Sequence, residues 1–150
     1  GVMILALTPA AHRHLGLQFE RRHTVKTYLA QVWGDVRGQT GHIDLPLICD
    51  WPNRPMQMVS FEHGKPAQTD WEVSGRGEGS TRLLLHPKTG RSHQLRVHML
   101  AIGHPILGDR LYAHDDAFAA MARLALHAKS LQVFHPIGGK PQTFTAPDPF

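Results

Sequence analysis

A chain of 150 residues fits one domain and can bury a real core, and its 41% hydrophobic and 19% charged residues are ordinary for a globular protein. The 16 Lys and Arg against 12 Asp and Glu leave a net charge of +4, which suits a polyanionic partner such as nucleic acid without proving one. The single cysteine, Cys49, excludes an internal disulfide and a cysteine-rich zinc site and fits a reducing cytoplasm, and no apolar run is long enough for a membrane span.

The opening "GVMILAL" reads as a buried strand that begins with no turn or cap before it, and "GVMILALTPAA" lacks the basic flank of a signal peptide. Thr8 followed by Pro9 is a helix start, and Ala11, Leu15 and Phe19 give that helix an apolar stripe to about Arg22. In "HTVKTYLAQVWG" the side chains alternate, with Val25, Thr27, Leu29, Gln31 and Trp33 on one face and Lys26, Tyr28, Ala30 and Val32 on the other, so it predicts a strand. "HIDLPLICDWPNRP" is a loop-rich excursion with three prolines. "MQMVSFE" and "AQTDWEV" read as strands joined by the turn "HGKP", and "GRGEG" turns back into "TRLLLHP".

Thr89 is placed to cap a helix running to about Ile102, with Leu95, Met99 and Ile102 as its core stripe and Gly103 as its stop. "DDAFAAMARL" predicts a short helix capped by Asp115 or Asp116, and "LALHAKSLQVFHP" and "QTFTAP" predict closing strands. There is no repeat and no linker long enough to divide domains, so residues 1–150 form a single unit. The pattern is an α+β fold: a mixed, mainly antiparallel sheet flanked by helices.

Chemistry concentrates in "HPKTGRSHQLRVHMLAIGHPILGD" (86–109). His93 and His98 stand roughly 140° apart on a helix, with no acid between them, so they do not make the helical pair that zinc favours. Histidines bonded within the fold or facing RNA fit better, and the reading includes no metal and no cofactor. Arg96 interrupts an apolar helix, so its head either reaches solvent or meets a carboxylate. Arg91 falls in the predicted first helical turn, where a cation is slightly unfavourable unless a phosphate comes close; with Lys88 it forms a candidate anion corner. Tyr28 is either a packing residue of its strand or a ring on which a base stacks.

"TGRSHQLRVHMLAIGHPILGD" (89–109), together with "KTYLAQVWG" (26–34), "GKPAQTDWEV" (64–73) and "LHAKSLQVFHP" (126–136) in that order, resembles the RluA family of pseudouridine synthases over nearly the whole chain. "DLPLICDWPNRPMQMV" (44–59) is closer still to the family member that acts on both a transfer RNA anticodon stem-loop and large-subunit ribosomal RNA. The resemblance implies isomerisation of a flipped uridine without cofactor or metal. It gives Tyr28 the place against the base, with a part in removing the C5 proton, and gives Arg96 the task of holding the nucleophilic aspartate ionised. Lys88, Arg91 and His93 would face the RNA, and Arg54 in "WPNRP" is a candidate phosphate contact.

The family's nucleophile lies in a block resembling "HRLDxxTSG", and Gly1 resembles its last glycine, which would set the aspartate upstream of this chain. None of Asp35, Asp44, Asp50, Asp70, Asp109, Asp115, Asp116 and Asp148 has that context. The chain is therefore expected to be a part of the catalytic domain, inactive as it stands. A non-catalytic RNA-binding module is the alternative, and a zinc hydrolase built on the histidines is a third reading.

Overall fold

β-Branched and aromatic residues alternating with polar ones dictate most of the architecture. The computed structural model describes all 150 residues. In chain order these are α1 (Pro9–Glu20), β1 (Val25–Trp33), β2 (Thr40–Asp44), β3 (Leu47–Cys49), a 3-10 turn (Trp51–Asn53), β4 (Gln57–Val59), β5 (Gln68–Gly77), β6 (Ser80–Pro87), α2 (Gln94–Ala101), α3 (Asp115–Ala119), β7 (Leu126–Phe134) and β8 (Pro141–Thr145). Six strands form one sheet in the order β2-β5-β6-β1-β7-β8, and every pairing in it is antiparallel. β3 and β4 pair separately as a small hairpin.

α2 is the hub. Leu95 and Met99 pack on Ala30 and Val32 of β1 and on Leu83 and Leu85 of β6, in the main core. On its other side Val97 joins Leu47, Ala67 and Tyr112 under the β3–β4 hairpin. An eight-residue helix covered on two sides buries its polar residues too, and Gln94 and His98 are 4% and 0% exposed. Each large apolar side chain so buried contributes about 1.5–3 kcal/mol before the entropy of ordering is subtracted.

Four expectations are corrected. "GVMILAL" is extended but joins no strand: Val2 donates one bond to the Ala128 carbonyl (2.8 Å), and Val2, Ile4 and Ala6 pack on Leu15, Leu131 and Val133. Its alternate residues Met3, Leu5 and Leu7 are 81%, 76% and 94% exposed, so the segment is buried on one face only. The proline excursion holds real strands, β2 reaching Asp44 and β3 spanning Leu47–Cys49, short enough for the prolines to flank them. "MQMVSFE" and "AQTDWEV" are not partners: β4 pairs with β3, and β5 lies between β2 and β6.

The fourth concerns helix starts. Thr8 caps α1 as expected, accepting from the Ala11 amide at 3.2 Å. Thr89 does not cap α2. Its hydroxyl accepts from the Gln68 amide (2.9 Å) and donates to Gln94 Oε1 (2.7 Å), tying the end of β6 to a helix that begins only at Gln94. Arg91 therefore precedes the helix rather than occupying its first turn. At α3 the capping residue is His114, whose Nδ1 faces the Ala117 amide at 3.4 Å, and Asp115 and Asp116 fill the first turn.

Candidate active site

The middle of β1, the turn after β6 and the first turn of α2 converge on a cleft of about 270 Å³, lined among others by Lys26, Tyr28, Arg91, His93, Arg96 and Leu126. Lys26 and Tyr28 project to one face because they are two residues apart on a strand. Lys26 Nζ donates to the Thr89 carbonyl (3.1 Å), which draws β1 against the turn. Burial, and then the nearby Arg22 charge, lower the Lys26 pKa. Burial pushes the Tyr28 phenol up, so it keeps its proton at neutral pH.

Arg96 meets a carboxylate, and within this chain that carboxylate is Asp109. Nε donates to Oδ2 at 2.8 Å and Nη2 to Oδ1 at 2.6 Å, a two-point grip on a residue that is 0% exposed. Asp109 is held in turn by the amides of Leu111 (3.0 Å) and Tyr112 (3.2 Å). The glycine before it is required: Gly108 has φ +69°, and a Cβ there would stand 2.1 Å from the Arg123 carbonyl oxygen. The guanidinium lies 4.9 Å from the centre of the Tyr112 ring. Its hydrogen bonds use Nε and Nη2 and leave Nη1 without a partner within the chain.

Three of the twelve histidines, His93, His98 and His104, lie in or beside α2 and each has a partner within the fold. His93 sits just before α2 with φ +51°, a left-handed backbone unusual outside glycine, and its Nδ1 lies 2.8 Å from the Tyr112 hydroxyl. His98 bridges the Thr69 hydroxyl (2.9 Å) and the Leu45 carbonyl (3.0 Å), and burial lowers its pKa. His104 Nδ1 faces the Trp33 carbonyl at 2.8 Å. No three His, Cys, Asp or Glu side chains gather as a metal site.

Residues 1–101, which supply β1, β6 and all of α2, match the family described as RNA pseudouridylate synthase. Over 145 residues the chain is 59% identical to the dual-specificity RNA pseudouridine synthase RluA of Yersinia pestis, covering 96% of this chain and 70% of that one. It is 56% identical to RluA of Escherichia coli K12 over 151 residues, covering 100% and 69%. The chain belongs to the RNA pseudouridine synthase family. The fold agrees: human RNA Pseudouridylate Synthase Domain Containing 1 superposes with a TM-score of 0.86 at 31% identity, covering 97% of this chain and 63% of that one.

In this synthase chain the structure brings together four of the six residues singled out from sequence, Tyr28, Arg91, His93 and Arg96. The other two lie elsewhere. Lys88 pairs with Asp70 at 2.9 Å, beside His42, and those two partners hold the Asp70 carboxyl below its usual range. Arg54 stacks on Trp51 at 4.6 Å, in the hairpin turn. Three residues that line the cleft or hold its lining in place, Lys26, Asp109 and Tyr112, were not singled out from the sequence. Lys26 was signalled by its two-residue spacing from Tyr28, but nothing in the local pattern marks Asp109 or Tyr112 as neighbours of Arg96.

Proposed function

We propose that this chain forms the uridine-binding wall of an RNA pseudouridine synthase. The observation that carries it is Tyr28, a half-buried ring, facing the same cleft as the buried-end cation Arg96. Tyr28 packs against the flipped uracil, whose extraction from the stack costs a few kcal/mol. Arg96, oriented by Asp109, offers Nη1 to a catalytic carboxylate and keeps it ionised. In the reaction the bond from uracil N1 to the ribose breaks and C5 bonds to the ribose instead. The C5 proton leaves, Tyr28 assisting, and N1 gains one, so nothing is oxidised or reduced.

Arg91 and His93 face the RNA at the cleft, Arg54 is an outlying phosphate contact, and Lys88, taken up by Asp70, contributes little. The relatives' names give a dual specificity for RNA. The substrates in this reading are those the family resemblance implies, a transfer RNA anticodon stem-loop and large-subunit ribosomal RNA, and the setting is the cytoplasm, where Cys49 stays a free thiol. No helix is long and apolar enough to cross a membrane.

A second reading, a non-catalytic RNA-binding module, is favoured by one observation: no aspartate lines the cleft. Asp109 is buried and fully engaged, so it is not a free nucleophile. Tritium release from C5-labelled uridine in transfer RNA separates the two. The chain joined to the aspartate-bearing segment that the family resemblance places before it should release tritium, and Arg96→Ala should abolish release. Binding of the RNA without release in the joined protein favours the module.

A further inference from the structure

Tyr112 stands outside the cleft lining and touches two of its residues at once, His93 and Arg96. It is 6% exposed, and its hydroxyl accepts from the Gln57 amide at 2.8 Å. Having accepted there, the hydroxyl has one proton to give. Asp109 already takes two bonds from Arg96 and two from backbone amides, and no carboxylate is hydrogen-bonded to the hydroxyl. The remaining acceptor in contact is His93 Nδ1, at 2.8 Å. A donor that is buried needs an acceptor, so the O–H points at Nδ1 and the imidazole proton resides on Nε2. The rings meet edge-on, 5.6 Å between centres at 83°, which leaves His93 one orientation. The left-handed backbone of His93 is a strained conformation for a side chain of this size, and such strain persists only where neighbours fix it.

We propose that Tyr112 is a positioning residue that holds His93 as a neutral imidazole with Nε2–H turned to the cleft, as a hydrogen-bond donor to an acceptor oxygen of the RNA. The last clause rests on the RNA reading above; the tautomer does not. The groups facing His93 agree with a neutral ring. Arg96 on α2 and burial both lower its pKa, against the opposing pull of Asp109, while Lys26 of β1 and Arg91 of its own turn add positive charge to the same cleft. The arrangement also joins the β3–β4 hairpin to the cleft, because Gln57 is the first residue of β4. A shift of the hairpin on its RNA would withdraw the amide from Tyr112 and loosen His93.

The test is nitrogen NMR of the histidine side chains of the full chain, with binding of a transfer RNA anticodon stem-loop measured on the same samples. The expected result is His93 as the Nε2–H tautomer in the wild type. In Tyr112→Phe, which keeps the ring over Arg96, the two tautomers should mix, and RNA affinity should fall roughly three- to ten-fold, as for His93→Ala. An Nδ1–H tautomer in the wild type overturns the proposal, and that reading needs no variant to fold. An unchanged tautomer in Tyr112→Phe also overturns it. A changed tautomer with unchanged RNA affinity in both variants removes the RNA-facing role of His93, while the isomerase reading stands or falls on tritium release.

Discussion

Arg96 and Asp109 are thirteen positions apart in sequence and clasped through two hydrogen bonds of 2.8 and 2.6 Å, with the carboxylate wholly out of solvent. A guanidinium on an apolar helix would be costly alone. Here Gly108 bends the chain so that the following aspartate arrives beneath it, and the amides of Leu111 and Tyr112 complete the carboxylate's bonding. The pair fixes the orientation of the guanidinium of Arg96, a residue of the cleft lining.

Asp109→Asn removes the charge and keeps the shape. It leaves Arg96 poorly compensated, so urea unfolding should show a loss of about 3–5 kcal/mol. Removing the cation as well, Arg96→Met with Asp109→Asn, which keeps an acceptor oxygen for the Leu111 and Tyr112 amides, should recover much of that loss without recovering any isomerisation. If the double variant is as unstable as the single one, the ion pair is not the source of the effect.

Tyr28→Phe keeps the ring on which the uracil packs and removes the hydroxyl. RNA affinity should hold while turnover in the joined protein falls. Because burial raises the phenol's pKa, a Tyr28 that takes the C5 proton as phenolate makes turnover climb as pH rises above neutrality, and the climb should vanish in Tyr28→Phe. Tyr28→Ala should also weaken binding, by about 1–3 kcal/mol for the lost stacking. Equal turnover in wild type and Tyr28→Phe would leave the residue a packing role only.

Patterns confined to one element were legible in the sequence. The alternation in "VKTYLAQVW" placed Tyr28 and Lys26 on one face, Thr8-Pro9 fixed the start of α1, and "GRGEG" fixed the β5–β6 hairpin. What depended on a partner distant in sequence was not. Thr89 has the chemistry of a cap, but the Gln68 amide, twenty-one residues earlier, claims its hydroxyl. α2 showed its Leu95 and Met99 stripe, yet its burial on the opposite side required knowing that β3 and β4 fold over it. The sequence pattern left Arg96 two outcomes, solvent or a carboxylate, and did not choose between them. The family resemblance placed that carboxylate upstream, whereas the one bonded in this chain is Asp109.

His98 ties α2 to β5 and to the link between β2 and β3, wholly buried between the Thr69 hydroxyl and the Leu45 carbonyl. Its folded pKa lies below the ordinary value of 6.5 because burial disfavours the cation. Below 6.5 the unfolded chain therefore binds more protons than the folded one, and stability rises with pH there. The contribution is fully present above 6.5 and is lost progressively as pH falls from 6.5 towards the folded value. His98→Gln should flatten the pH dependence of urea midpoints in that window; an unchanged slope would assign it to other groups.

The last prediction separates the basic residues. A cation that meets a phosphate releases counterions, and each such contact with a single strand contributes about 0.7 to the slope of log affinity against log salt. Arg91 keeps two of its three guanidinium nitrogens free, since only Nε is engaged, with the Pro66 carbonyl at 3.1 Å, and it lines the cleft. Lys88 is already neutralised by Asp70 at 2.9 Å, and Arg54 by no carboxylate but lies over Trp51 in the hairpin turn. Arg91→Ala should therefore lower the salt slope for anticodon stem-loop binding by close to one contact, and Lys88→Ala should change it little. Arg54→Ala reports on the hairpin. A reduced slope means that RNA reaches beyond the cleft to the β3–β4 turn, and an unchanged one confines the phosphate contacts to the cleft residues.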